Sequence, residues 1–192
     1  MRTRPVGSLV GAIAGLVFVL VNSGAVPGSL LWRAAAAVAF VAVIWFVVLR
    51  GPEVEQAPPS RDAVRTYGFA VVAMVVAIPV GARILSDVLD RPSAVLVWVV
   101  FVVGAHFLPF AHAFHLPVFR LLAASLVVVA IIGAVPTLTS NSEAAAGWTG
   151  VAAGFVLLFF SAAGPHLSRS SAARSAGSVS TTASEAPPGG LR

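Results

Sequence analysis

Six long apolar stretches, separated by short polar or helix-breaking segments, dominate the chain. Each is close to the roughly 20 apolar residues that an α-helix needs to cross the hydrocarbon core of a bilayer. They cover residues 6–21, 31–49, 67–85, 94–110, 118–135 and 146–163. Inside a bilayer, a helix pairs every backbone N–H and C=O within its own segment. The sequence therefore predicts an all-α, polytopic integral membrane protein, a bundle of six transmembrane helices.

The overall composition indicates the same solvent. Hydrophobic residues make up 58% of the chain and charged residues 10%, whereas soluble domains carry about 25% charged residues. The absence of cysteine excludes disulfides, thiolate metal sites and a cysteine nucleophile. The 12 basic residues are all arginines scattered among apolar stretches, unlike the clustered basic surface that binds a phosphate backbone. We expect the lipid bilayer, and no nucleic acid, to contact this protein.

Two segments are predicted to lie in water. Residues 51–66 contain three prolines and five charged residues, which is typical of an aqueous loop. From residue 166 onward the chain consists mainly of Ser, Thr, Ala, Gly and Pro. Such a segment buries too little apolar surface to offset the entropy cost of ordering. We therefore predict a transmembrane domain over residues 1–165 and a disordered tail over residues 166–192.

The arginines indicate the orientation, because basic residues accumulate on the cytoplasmic side of membrane proteins. With the N-terminus inside, three arginines fall in outer segments, namely Arg33, Arg83 and Arg91. The other nine fall in inner segments. The exclusive use of arginine, together with abundant Ala, Val and Gly, is typical of a GC-rich bacterial genome. We predict a bacterial plasma-membrane protein with both termini and the tail in the cytoplasm.

The first apolar stretch has two interpretations. Its leading arginines and the small residues at 23–25 also fit a cleaved signal peptide, but the stretch is longer than the roughly 7 to 15 residues usual there. Gly7, Gly11 and Gly15 recur every four residues and so share one helix face, where another helix backbone can approach closely. This spacing favours a retained span with a packing face, although glycine is also simply common in membrane helices.

Three histidines close the fourth stretch, at His106, His112 and His115. Neutral imidazole binds zinc, copper or haem iron, and His112 and His115 can share a helix face. We expect Pro109 to interrupt the helix that joins them to His106, and no Cys, Asp or Glu nearby completes a ligand set. We therefore assign no metal and no cofactor. The histidines remain a candidate polar site, and the alternative is interfacial residues beside a proline kink.

Arg83 is the deepest charge in the predicted spans. It lies near the outer end of the third stretch, with Asp87 one helical turn later. A pair at this spacing stabilises a helix surface, and the arginine stem can extend to the interface. We expect a structural pair, with an anion or substrate contact as the alternative.

Residues 67–135 contain Ala77-Ile78-Pro79, Trp98 and the run Val-Gly-Ala-His-Phe-Leu-Pro-Phe-Ala at residues 103–111. This stretch resembles a family of multi-spanning membrane proteins of actinobacteria with a His-Phe-x-Pro-x-Ala motif. The resemblance implies a bacterial plasma-membrane location and draws attention to His106 and Pro109. It implies no activity.

The chain has many predicted spans and almost no soluble domain. This organisation favours a small permease or channel-like protein for a neutral or weakly charged solute, with His106 near the pathway. A non-catalytic membrane partner or assembly subunit, working as a homo-oligomer or with another membrane protein, is the second hypothesis. A haem- or metal-binding protein using His106, His112 and His115 is the third. We assign no catalytic residue, because the chain lacks a Walker loop, a dinucleotide loop and a nucleophile elbow.

Overall fold

The structure is a computed structural model, and it describes residues 2–3, 6–49, 54–55, 61–113 and 117–184. Within these ranges, six helices are long and apolar enough to cross a membrane. The spans are Gly7–Ala25, Ser29–Val47, Val64–Val88, Ala94–His112, Val118–Ser140 and Glu143–Gly164. They coincide with the six predicted stretches, so the prediction of an all-α bundle of six transmembrane helices is confirmed.

The helices follow one another with short connections. They are α1 (Val6–Asn22), α2 (Ser29–Val43), α3 (Arg61–Arg83), α4 (Ala94–Ala113), α5 (Pro117–Ser140) and α6 (Glu143–Ser184). A 3-10 turn at Ser23–Ala25 follows α1, and π-helical turns extend α2 over Ile44–Leu49 and α3 over Ile84–Val88. Two-residue strands, β1 (Arg2–Thr3) and β2 (Val54–Glu55), pair antiparallel.

Contacts between connecting segments define two ends of the bundle. The β1–β2 pair joins the chain before α1 to the segment between α2 and α3, and we call this side the N-terminal end. At the opposite end, the Ser93 hydroxyl and the side chain of Asn141 are hydrogen-bonded, which joins the α3–α4 and α5–α6 connections. The N-terminal segment and the α2–α3 connection thus share one end, and the α3–α4 and α5–α6 connections share the other. This agrees with the predicted topology, in which the first two lie on one side of the membrane.

The last helix, α6, occupies the centre of the bundle. It packs along α1, α2, α4 and α5, whereas among the described helices α3 packs mainly against α4. Two apolar clusters result. One joins α1, α2 and α6 and includes Val19, Val43 and Leu158, and the other joins α4, α5 and α6 and includes Val100 and Leu126. The helix α3 supplies no buried residue to either cluster, so it is a peripheral helix.

The expected break at Pro109 is wrong, because α4 continues through this proline to Ala113. Likewise α5 passes Pro136 and ends at Ser140, beyond the predicted end at residue 135. A proline removes one backbone hydrogen bond, and membrane helices tolerate this loss because other groups satisfy the freed carbonyl. Pro136 frees the carbonyl of Ile132. Separately, in the last turn of α5, the hydroxyls of Thr139 and Ser140 donate to the carbonyls of Val135 and Pro136, over 2.8 and 2.7 Å.

The structure describes part of the predicted C-terminal tail as helix. The helix α6 continues beyond the membrane-spanning part to Ser184, across much of the segment for which the sequence predicts a disordered tail. Alanine is the strongest helix former and recurs through residues 172–183. Residues 185–192 lie outside the described residues. The cytoplasmic location of the tail stays a prediction.

Candidate functional site

His106 lies near the end of α4, at its contact with α3. Its ring centroid is 6.5 Å from that of Tyr67 in α3, 5.3 Å from Phe107 and 6.4 Å from Phe110. Phe119, at the start of α5, completes the group. These five residues are called the aromatic cluster below. All lie near the N-terminal end of the bundle, because α3 and α5 begin there and α4 ends there.

The aromatic cluster links three helices. Phe119 of α5 lies nearly parallel to Phe107 at 5.9 Å and edge-on to Phe110 at 4.9 Å, while Tyr67 of α3 meets Phe110 edge-on at 5.3 Å. Each such pair contributes about 0.5 to 1.5 kcal/mol beyond the burial of apolar area. The cluster therefore fixes the N-terminal ends of α3, α4 and α5 relative to one another.

One polar atom in this cluster is unsatisfied. The Nδ1 atom of His106 is buried and has no hydrogen-bond partner. Leaving a buried polar group unpaired costs about 1 to 3 kcal/mol. The Nδ1 atom is consequently a buried atom of the cluster with spare hydrogen-bonding capacity.

The other histidines do not join His106 in one ligand set. His112 is exposed on the same helix, and a separation of six residues places the two side chains about 120° apart around it. His115 lies outside the described residues. Within the part of the chain that the structure describes, no three His, Cys, Asp or Glu side chains are grouped closely enough to hold a metal ion.

Arg83 lies far from the aromatic cluster, at the opposite end of α3. Its Nη1 atom donates to Oδ2 of Asp87 over 3.2 Å, with the two side chains 84% and 56% exposed. The geometry is that of the expected pair one helical turn apart. Because both side chains are solvated, the pair contributes at most about 1 kcal/mol.

Two of the three predicted packing glycines contact α6. A Cβ at Gly15 would meet the carbonyl oxygen of Gly154 at 2.7 Å, and one at Gly11 would meet the Ser161 hydroxyl at 2.5 Å. Among the described residues, a Cβ at Gly7 would meet nothing within 4 Å. The close approach of α1 and α6 thus depends on Gly11, Gly15 and Gly154, while Gly7 lies beyond the crossing.

Trp98 makes the second attachment between α3 and α4, and this contact was not predicted from the sequence. The indole Nε1–H donates to the carbonyl of Ala77 over 3.0 Å, and a Cβ at Gly81 would collide with the indole ring. A single glycine in a valine-rich span marks such a close approach, but it does not say which side chain fills the space. Together with the aromatic cluster, Trp98 holds α3 on the bundle.

Several polar side chains are buried near α6 at the end of the bundle opposite the N-terminal end. Thr149 donates to the carbonyl of Ala145 over 2.8 Å and occupies the space left by Gly133 of α5. The hydroxyl of Thr137 is fully buried and unpaired. Ser23 is buried and receives a hydrogen bond of 2.9 Å from Nε of Arg33. Of these, the Arg33–Ser23 bond joins α2 to the turn after α1, and hydrogen bonds between helices contribute about 0.6 kcal/mol each to helix association in membranes.

Two shallow grooves lie on the outside of the described part of the bundle. One, of about 680 Å³, follows α3 and is lined by Asp62, Arg65, Thr66, Gly68, Phe69 and Val72. The other, of about 520 Å³, lies between α2 and α6 and is lined by apolar residues alone, including Phe46 and Phe159. His106 lines neither groove.

Compared with known proteins, the chain matches no family model, no curated protein sequence and no solved structure. The candidate site is therefore defined by its own geometry. It consists of a histidine packed among aromatic rings, in an integral membrane protein whose grooves open outward.

Proposed function

We propose that the protein is a non-catalytic membrane subunit that acts by presenting a helix face to another protein in a bacterial plasma membrane. The observation that carries this proposal is the position of α3. This helix is attached to the bundle along one side only, and its other side carries a groove of about 680 Å³. Helices in membranes associate through such faces by van der Waals packing and interhelical hydrogen bonds, and the charged Asp62 and Arg65 border this one.

The packing of His106 supports the same interpretation. Its half-buried ring lies against Tyr67, Phe107 and Phe110, so we assign this residue to the contact between α3 and α4 and not to a solute pathway. The proposal assigns the aromatic cluster to positioning α3, and the outer face of α3 to recognition.

Photo-crosslinking in intact cells tests this role. We expect benzoylphenylalanine at Val72, which is 61% exposed on α3, to give a protein adduct of defined mass. The matched control is Val38 on α2, which is 70% exposed and should give lipid adducts only. Lipid adducts alone at both positions would refute the proposal.

A small permease is the second candidate, and the unpaired Nδ1 of His106 favours it. A solute or proton relay needs such a group with free hydrogen-bonding capacity. Flux of a small neutral solute into liposomes, lost on His106→Ala and kept on His112→Ala, would establish this function. A haem- or metal-binding role needs stoichiometric metal or a Soret band that His106→Ala removes.

A further inference from the structure

His106 makes a hydrogen bond between α4 and α3, and this bond uses only one of its two ring nitrogens. The imidazole donates to the backbone carbonyl of Ala70, a buried residue of α3. Because Nδ1 has no partner, the donor is Nε2. The ring that makes this contact is therefore neutral, with its proton on Nε2 and a lone pair on the buried Nδ1.

The helices around this ring provide no counter-charge for a protonated imidazole. At the N-terminal end, the titratable or charged residues that the structure describes on α3, α4 and α5 are Arg61, Asp62, Arg65, Tyr67, His112 and Arg120. Of these, Tyr67 alone has a ring against His106. Asp62, the carboxylate in this set, is exposed and lies two helical turns before Ala70. The helix α6 has no titratable residue between Glu143 and His166.

Protonation would place a second N–H, on Nδ1, inside this packing. A buried N–H without an acceptor and a buried charge without a partner both cost free energy. Attraction between a cation and an aromatic ring opposes that cost, but it acts within about 6 Å of the ring centroid. Of the three rings around His106, only Phe107 at 5.3 Å is that close. Water therefore stabilises the protonated ring better than the α3–α4 contact does.

The first turns of α3 can leave α4 without detaching the whole helix. The indole of Trp98 holds α3 at Ala77, two turns beyond the His106 contact. Pro79 lies inside α3 and frees the carbonyl of Val75, between the two attachments. Sharp bends in helices occur at such prolines. Loss of the His106 contact would thus move the N-terminal half of α3 about the Trp98 contact.

We propose that protonation of His106 releases the N-terminal end of α3 from α4, and that deprotonation restores the contact. The new N–H on Nδ1 finds water once the first turns of α3 move away. The contact is present where the imidazole is neutral and is lost as the pH falls. The inference rests on the proposed function in one respect, because it supplies the regulation of the helix that we assign to recognition.

Distances between pairs of nitroxide labels, measured by double electron–electron resonance in lipid nanodiscs, test this motion in a chain without cysteine of its own. Labels at Thr66→Cys on α3 and Leu121→Cys on α5, both exposed positions, report the release. From about pH 7.5 to about pH 5, the ratio of long to short distances should rise by up to about thirtyfold, the limit for a histidine of ordinary pKa that binds its proton only after release. The reference pair, Val10→Cys on α1 with Leu121→Cys, should not change.

Two histidine variants separate this response from a general effect of acid. His106→Gln keeps an N–H that can reach Ala70 but does not bind a proton, so its distances should stay short at both pH values. His112→Gln, at the exposed histidine of the same helix, should respond as the parent protein does. A response that survives His106→Gln would overturn the inference, and so would short distances in the parent protein at both pH values.

The outcomes also separate this inference from the proposed function, because the nanodiscs hold no partner protein. Unchanged distances together with a protein adduct at position 72 overturn the pH response and leave the subunit role intact. A pH-dependent distance together with lipid adducts alone at position 72 supports the response and overturns the subunit role.

Discussion

Single glycines decide where helices of this protein meet. The sequence places Gly7, Gly11 and Gly15 on one face, but their spacing is identical and cannot show which of them lies at the crossing point. The structure distinguishes them, because α6 approaches α1 most closely at Gly15 and Gly154. The position of the crossing depends on the angle between the two helices, and the spacing of the glycines in the sequence gives no information about that angle.

Gly15→Ala should therefore destabilise the protein, whereas Gly7→Ala should not. The new methyl at residue 15 would lie 2.7 Å from a backbone oxygen and 2.9 Å from Cγ of Leu158, and overpacking of this kind costs about 1 to 3 kcal/mol. At residue 7 the methyl meets nothing, and the higher helix propensity of alanine favours the helix by up to about 1 kcal/mol. Thermal unfolding in detergent, followed by tryptophan fluorescence, measures both changes. Equal melting temperatures for the two variants would contradict the assigned crossing.

Among the helices, α3 shows most clearly what the sequence can and cannot determine. Its existence and approximate position follow from hydropathy, since the predicted stretch at residues 67–85 lies within the observed span Val64–Val88. Its start does not, because α3 begins at Arg61, within the predicted loop of residues 51–66. Its packing does not follow, because lipid tails are as apolar as the side chains of a neighbouring helix. Buried Ala70 and exposed Val72 are both apolar, so no periodic pattern separates the face toward α4 from the outer face.

Gly81→Leu should loosen α3 while leaving the rest of the bundle folded. The leucine side chain would collide with the indole of Trp98 and displace its hydrogen bond to Ala77, one of the two attachments between α3 and α4. Hydrogen exchange measured by mass spectrometry should accelerate in α3 and stay unchanged in α1 and α6. Val80→Leu, at an exposed neighbouring position, is the control and should be silent. Faster exchange throughout the protein would show that α3 is not a separable element.

At the scale of the whole molecule, the structure shows which connecting segments share an end of the bundle, and the arginines predict which end faces the cytoplasm. The β1–β2 pair and the Ser93–Asn141 contact separate the connections into two groups at opposite ends. Nothing in the fold itself says which end faces the cytoplasm. That choice follows from the membrane potential and the insertion machinery, which act on arginines during synthesis, and it leaves no trace in helix packing.

The predicted orientation makes a definite statement about accessibility. In a cysteine-free chain, a cysteine introduced at Ala57, in the segment between α2 and α3, should resist a membrane-impermeant maleimide in intact cells and react after lysis. A cysteine at Asn141, between α5 and α6, should react in intact cells, because nine arginines against three place it outside. The reverse pattern would leave the six-helix fold standing and overturn its direction. Labelling of both positions in intact cells would instead contradict the number of crossings between them, since α3, α4 and α5 require opposite sides.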